Sequence, residues 1–383
     1  MKKLLALVLA VLMVVALAAC GGTTTPTTEE PKTDDAAPAA ASFSVAMITD
    51  YGDITDQSFN QTTYEACKEY CDANTVDFKY YKPASDSDDD RIAMIEKAID
   101  DGFNVIVMPG YAFAAAIAAT APEYADVTFI ALDVSEYDLT SAGLETLPAN
   151  LYSAVYQEEL CGYMAGVAAV KLGYTKLGFL GGMAVPAVIR YGYGFVQGAD
   201  AAAAELGVDV ELNYAYGNQF YGDADITAAM DTWYSNGTEI VFACGGGIFS
   251  SAAEAAAKVN GKVIGVDVDQ AATIDGTYGE GMTVTSAMKG LAPTVKTMLT
   301  AVADGTFEGG KVENLGLVSE NPDENYVQLP SGSTQFADSF TADDYKALVA
   351  DMFNGKITVS NDVSITAAEN AKTITVNDQG NIK

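Results

Sequence analysis

The sequence predicts an α/β protein made of two doubly wound parallel-sheet lobes facing one another across a cleft. Three observations carry this. Short apolar runs of strand length alternate with helical stretches. That rhythm occurs twice, once before and once after about residue 150. The strands end on polar or glycine residues, namely Asp50, Gly110, Asp133, Gly181, Gly245 and Asp267. Ligands of open α/β sheets bind beyond such carboxyl ends.

Ser44-Val45-Ala46-Met47-Ile48 is a short buried-strand run, followed by a helix over about 57–72. Val76 to Tyr81 reads as a strand. Asp88 to Asp100 reads as a helix with Ile92, Ile95 and Ile99 on one side. Strands at 105–108 and 127–132 flank an alanine-rich helix. Further strands are predicted near 149–156, 177–182, 210–216, 239–244, 262–267 and 282–285. Helices near 157–172, 187–206, 223–236 and 249–258 separate them. Helical crossovers between strands imply parallel sheets covered on both faces.

The chain has 383 residues, 49% of them hydrophobic, enough for two domains with a large core. Lys and Arg total 20 against 52 Asp and Glu, a net charge of −32. That balance argues against nucleic acid as a partner and against a basic membrane patch. There is no histidine, which removes Ser-His-Asp and Cys-His catalysis and His-ligated zinc or haem. Met1-Lys2-Lys3 followed by the apolar run Leu4 to Ala19 has the pattern of an export signal. Its end, Leu17-Ala18-Ala19-Cys20, resembles the bacterial lipobox, in which Cys20 becomes the lipid-modified N-terminus. Residues 20–42, rich in Thr, Pro and acid, read as a flexible tether. The folded part is expected to begin near Phe43. Cys67, Cys71, Cys161 and Cys244 read as buried small hydrophobes, since no further metal donors lie near them.

Familiar catalytic and cofactor motifs fail on inspection. Gly192 to Gly198 imitates a dinucleotide fingerprint with its last glycine one residue late, so helix packing explains it better. Gly305 to Val312 lacks the Ser or Thr of a P-loop. Asp86, Asp88 and Asp90 start like a calcium loop but meet Arg91 and Lys97 where Gly and Glu are needed. They suit a solvated helix N-terminus. Glu158-Glu159 is expected to be a solvent-facing first turn, because adjacent helical residues point in different directions. No nucleophile is paired with a base, no cofactor is implied, and the chain is not expected to be an enzyme.

A binding pattern remains. Asp50 to Gln61 joins the first strand to the first helix with many polar side chains and Phe59. Gly245-Gly246-Gly247 lets backbone approach a ligand. Asp267 closes a strand with a carboxylate suited to two vicinal hydroxyls, and Ser286 and Lys289 follow the next strand. Alone, Phe59 reads as core, Asp267 as a turn and Lys289 as surface charge. Their conjunction at successive strand ends favours a cleft.

These blocks resemble the basic membrane protein family of bacterial lipoproteins, related to purine nucleoside receptors of ABC importers. The matching segments are Thr49-Asp50, Asp56 to Gln61, Gly178 to Met183, Gly194 to Gly198, Val263 to Gln270 and Thr285 to Lys289. The resemblance implies a type I periplasmic-binding-protein fold, with 43–150 plus 269–312 as lobe 1 and 151–268 plus 313–383 as lobe 2. It implies that Phe59 and Tyr191 sandwich a base, with Asp50, Asn60 and Asp133 on its polar edge. Asp267 and Lys289 would hold the ribose, Gly245 and Gly246 would line the sugar, and Tyr111 is a weaker candidate. Tyr191 stands where the family usually has phenylalanine, and Cys244 to Ile248 departs from the family's turn. The implied partners are a small nucleoside, an ABC permease and its ATPase, with the membrane reached only through the lipid on Cys20. The receptor is expected to be monomeric. A sugar receptor on the same fold, or a surface sensor or adhesin, is the alternative.

Overall fold

In the computed structural model, residues 43–382 are described, and the segments expected to be an export signal, a lipidated Cys20 and a tether lie outside them. Parallel strands buried on both faces form the core of two sheets. The elements run β1 (Val45–Ile48), α1 (Phe59–Asn74), β2 (Phe78–Tyr81), α2 (Asp88–Asp100), β3 (Val105–Pro109), α3 (Ala114–Thr120), β4 (Thr128–Leu132), α4 (Glu136–Ser141) and β5 (Leu151–Tyr156). Then come α5 (Glu158–Lys171), β6 (Lys176–Gly181), α6 (Pro186–Leu206), β7 (Glu211–Tyr216), α7 (Ala224–Ser235), β8 (Ile240–Cys244), α8 (Phe249–Ala257) and β9 (Lys262–Asp267). The chain ends with α9 (Ala271–Tyr278), β10 (Thr283–Lys289), α10 (Leu291–Ala303), β11 (Lys311–Leu315), β12 (Val327–Gln328), α11 (Ala342–Phe353) and β13 (Thr375–Asn381).

Strand order is β11-β5-β4-β3-β1-β2 in the first sheet and β12-β10-β9-β8-β6-β7-β13 in the second. The central strands β1, β3 and β8 are buried throughout, which is why they read as unbroken apolar runs. Among the described strands, only β12 runs antiparallel to its neighbour.

The lobe boundaries differ from those the resemblance implied. Leu151–Tyr156 was assigned to lobe 2, yet β5 pairs in parallel with β4 of the first sheet, Phe129 opposite Leu151. The helix after it, α5, turns onto α6. The first crossing therefore falls at Gln157. Likewise 269–312 was assigned to lobe 1, yet β10 pairs with β9 in the second sheet. The following helix, α10, packs on α1, so the second crossing falls at Gly290. The chain last leaves the first sheet at Leu315 and enters the second at Val327.

Glycine spacing explains the turn of α5 onto α6. A Cβ at Gly162 or Gly166 would strike the carbonyl oxygen of Tyr191 or Phe195. One at Gly194 or Gly198 would strike that of Glu159 or Tyr163. Gly194 and Gly198 are thus a helix-packing surface on α6, where two backbones touch, while Gly192 makes room for Tyr214 and Phe179 of the second sheet. At α2, Ser87 caps the helix, Asp88, Asp89 and Asp90 occupy its first turn, and buried Arg91 pairs with Asp86 and Asp88. All four described cysteines are free and buried.

Candidate ligand-binding site

Strand carboxyl ends from both sheets border a cavity of about 590 Å³, inside the range of small-molecule sites. Asp50, Phe59, Asn60, Tyr111, Asp133, Tyr191, Gly245, Gly246, Asp267 and Lys289 all line it. Segments far apart in sequence meet here because each follows a strand of one of two facing sheets.

The loop after β1 is shaped by two carboxylates. Asp50 Oδ1 accepts the backbone N–H of Tyr51 and Gly52, each at 2.6 Å, and Asn60 Nδ2 at 3.2 Å. Asp56 accepts the N–H groups of Ser58, Asn60 and Gln61 at 2.9–3.0 Å and Asn60 Nδ2 at 3.1 Å. Asp56 therefore satisfies the donors that open α1, the work of a helix cap. Both Asn60 amide hydrogens are committed to these two acids, and its oxygen accepts the Asp50 N–H at 3.4 Å, leaving one lone pair of that oxygen for the cavity. Burial pushes the carboxyls of Asp50 and Asp56 upward, against the pull of these hydrogen bonds.

Lys289, at the end of β10, is the centre of the buried charge. Its Nζ lies 2.5 Å from Asp133 Oδ2, 3.5 Å from Glu158 Oε1 and 3.7 Å from Asp267 Oδ1. The rings of Phe59, Tyr156 and Tyr191 surround it with centroids at 4.7, 5.6 and 5.7 Å. Burial alone would lower the lysine's pKa, but Asp133, Asp267 and Glu158 together hold it above its ordinary value. Three acids crowd one ammonium, so each is attracted by it and repelled by the other two. At Asp133 burial wins, and its carboxyl is pushed up to about 6 despite Lys289. Its Oδ1 is buried with no hydrogen-bond partner among the described residues.

The acid pair at the start of α5 is not solvent-facing. Glu158 is 0% exposed and Glu159 3%. Glu158 Oε2 accepts Arg190 Nε at 2.6 Å, and Glu159 Oε2 lies 4.0 Å from the same nitrogen. The physical reason is that α5 is buried on nearly every face, so its first turn has no solvent side. Burial, then the neighbouring Glu158, pushes the Glu159 carboxyl up to about 7.

Tyr191 does not present a face for stacking. It is 1% exposed, packs edge-on against Phe242 at 5.9 Å and 88°, and donates its hydroxyl to Asp267 Oδ1 at 3.3 Å. Gly245 and Gly246 lie beneath Phe220, whose ring and carbonyl occupy the space their side chains would fill. The half-buried rings of Tyr51 and Phe220, from opposite lobes, stand 6.4 Å apart and 30° from parallel. Other bonds also cross the cleft. Ser58 Oγ donates to Asp267 Oδ2 at 2.6 Å, Gln270 Nε2 to the Gln57 carbonyl at 3.0 Å, and Tyr51 O–H to Met183 Sδ at 3.4 Å. Ser286 supports the turn after β9 by accepting the Gln270 N–H at 3.1 Å.

Glu158, Ser58 and Phe220 are cavity-shaping residues that sequence reasoning missed. Phe220 had a signal, an apolar ring within the polar loop Asn218 to Gly222 after a strand. Glu158 had one too, the unbroken apolar character of the helix that follows it.

A family model described as ABC transporter substrate-binding protein PnrA-like matches residues 43–349. The chain belongs to this Bmp family. Bmp proteins to which it is similar include the ABC transporter nucleoside-binding protein BmpA of Lactococcus lactis, 27% identical over 82% of this chain and 88% of that one. A CD4+ T-cell-stimulating antigen of Listeria monocytogenes is 28% identical over 73% and 79% of the two chains. Basic membrane protein A1 of Borrelia garinii is 26% identical over 71% and 77%. An ABC transporter solute-binding protein of Aeropyrum pernix shares the fold with a TM-score of 0.65 at 20% identity, over 86% and 90% of the two chains. The Bmp chain is thus an ABC transporter substrate-binding protein with the two-lobed α/β architecture of that class. No helix among its described residues is long and apolar enough to cross a membrane.

Proposed function

We propose that this Bmp protein is the extracytoplasmic, lipid-anchored receptor of an ABC importer. It captures a purine nucleoside by closure of two lobes and delivers it chemically unchanged to the permease and ATPase. The observation that carries this reading is the cavity of about 590 Å³ between the strand ends of both lobes, lined by the acids Asp133 and Asp267, Lys289 and the rings of Phe59 and Phe220. Asp267 lines the same cavity and Lys289 lies between the two acids, an acceptor-rich arrangement suited to ribose hydroxyls. Phe59, Phe220 and Tyr51 supply ring faces for a flat base, and Asp50 with the Asn60 oxygen supplies acceptors for its edge. The nucleoside-binding relative from Lactococcus lactis supports the same ligand class. Tyr191 takes a supporting part by holding Asp267.

Closure follows from the bonds across the cleft. Ser58 to Asp267 and Lys289 to Asp133 form only when the lobes approach, so a ligand that fits the closed cavity shifts the population toward that form. The test is thermal unfolding of protein first unfolded and refolded to remove carried-over ligand. A ligand at a hundred times its dissociation constant adds about 2.7 kcal/mol. A shift with purine nucleosides, but not with ribose or free base, is the expected result. A shift with sugars alone would make this a sugar receptor, and no shift would favour a sensor or adhesin.

A further inference from the structure

Among the cavity-lining cations, Arg190 stands apart. It sits in the first turns of α6 with its side chain 19% exposed. A guanidinium carries five N–H donors in a fixed plane. One of them, on Nε, goes to Glu158 Oε2 at 2.6 Å. The terminal nitrogens Nη1 and Nη2 donate to no acceptor among the described residues, and they are not sealed off as buried unpaired atoms. Most of the side chain is thus taken out of water while four strong donors remain available at the cavity.

The orientation is held from behind. Glu158 is 0% exposed and lies at the crossing from β5 into α5. Its two oxygens are divided between Arg190 and Lys289, at 2.6 and 3.5 Å. One buried carboxylate therefore fixes two cations at the same end of the cavity, the end that also holds Asp133 and Asp267. A planar fork anchored at Nε has its remaining donors set in direction, which is how arginine acquires geometric selectivity. The donors need an acceptor. Three carboxylates, Asp133, Glu158 and Asp267, already face two cations there. A further anion would enter a field that is already negative, whereas a neutral oxygen would not.

We propose that Arg190 is a ligand-recognition residue whose terminal guanidinium nitrogens, oriented by Glu158, donate to a neutral oxygen on the sugar end of the bound nucleoside. This rests on the nucleoside reading above. It adds a determinant for unphosphorylated sugars that neither the sequence blocks nor the acids alone supply.

The experiment is calorimetric titration of the refolded full chain with guanosine, its 2′-, 3′- and 5′-deoxy analogues, and guanosine 5′-monophosphate. Arg190→Lys keeps a cation beside Glu158 and removes the planar fork, so folding is preserved. It should weaken guanosine binding about tenfold or more, the effect of one lost charge-assisted hydrogen bond. The loss should shrink to under about threefold for the one deoxy analogue that lacks the oxygen read by Arg190. Glu158→Gln, which still accepts from Nε, should show the same analogue dependence with a smaller loss. Wild-type protein should bind the monophosphate more weakly than guanosine. Equal losses for all analogues, or no loss in Arg190→Lys, would overturn the assignment while leaving the nucleoside reading intact. Tighter binding of the monophosphate would replace it with phosphate recognition. Wild-type protein that binds none of the probes would overturn both readings together.

Discussion

The two lobes repeat one backbone plan and fill it differently. Strand order 2-1-3-4-5-11 in the first sheet corresponds to 7-6-8-9-10-12 in the second. Under that correspondence β4 leads to Asp133 with φ 62° and β9 ends at Asp267 with φ 63°. Both are non-glycine residues in the left-handed region, a conformation retained mainly where the surroundings demand it. Gly110 after β3 and Gly245 after β8 also match, at φ 122° and 140°. Here the likeness stops. The glycine of the first lobe makes room for Asp50, and that of the second for the ring of Phe220. Beyond β5 comes Glu158, while β10 ends in Lys289. The repeated backbone places an acid at each strand tip, and the unmatched side chains supply the cation, the ring and the polar edge that make the cleft selective.

The sharpest way to break this symmetry is at Lys289. Lys289→Met leaves Asp133, Glu158 and Asp267 around an uncharged side chain. Stability should fall by about 3–5 kcal/mol at pH 7, the cost of breaking a buried ion cluster from one side. Part of it should return as the pH is lowered through about 6 and Asp133 takes up a proton. Denaturant unfolding at pH 7 and pH 5 reads both effects, and a loss below about 1 kcal/mol would mean that the ammonium does not hold the acids together.

Next come the paired strand tips. Asp267→Ala should weaken nucleoside binding about a hundredfold or more, roughly 3 kcal/mol. Asp267 loses a cross-cleft bond from Ser58, the Tyr191 hydroxyl and the ion pair with Lys289 together. Asp133→Ala should cost less, since among the described residues its side chain hydrogen-bonds only to Lys289. Calorimetry on both variants decides whether the tips are equivalent, and equal losses would erase the distinction.

A third test concerns packing. Gly198→Ala places a methyl against the Tyr163 carbonyl across α5 and α6. Stability should fall by about 1–3 kcal/mol from overpacking, with nucleoside affinity per folded molecule retained. An unchanged melting midpoint would mean the helices separate freely at this contact.

The smallest expected effect is a slope. The Glu159 carboxyl, raised to about 7 by burial, keeps its proton in the native state over a range where the unfolded chain, near its ordinary value of 4.5, has released it. The native state then binds more protons, so this group's stabilisation is full below about 4.5 and is lost as pH rises through about 7. The slope is at most about 1.4 kcal/mol per pH unit. Glu159→Gln should flatten stability between those limits, as measured by urea midpoints. An unchanged slope would place the titration elsewhere.

The α/β class, the strand and helix rhythm and the strand-end positions Asp50, Gly110, Asp133, Gly245 and Asp267 were legible because each rests on local pattern, whereas Asn60, Tyr111 and Tyr191 were named only through the family resemblance. Apolar runs such as Val105–Pro109 declare a doubly buried strand, and a residue just past such a run must lie at a sheet's carboxyl edge. The spaced glycines Gly194 and Gly198 likewise announced close helix packing. Pairing was not legible. Leu151–Tyr156 has the same local character whichever sheet receives it, so only the ladder with β4 decided where the first crossing falls. Burial of Glu158 depended on α5 being enclosed by another helix and by β10. The division of labour among aromatic rings depended on which ring found free space, since a phenylalanine in a loop and a tyrosine on a helix carry no mark of their neighbours. Sequence by itself determined the elements and the carboxyl-edge residues, because those follow from periodicity along the chain. Tertiary structure alone decided the crossings, the buried charge cluster and the orientation of each side chain, because these are contacts between segments whose separation along the chain carries no record of their distance in space.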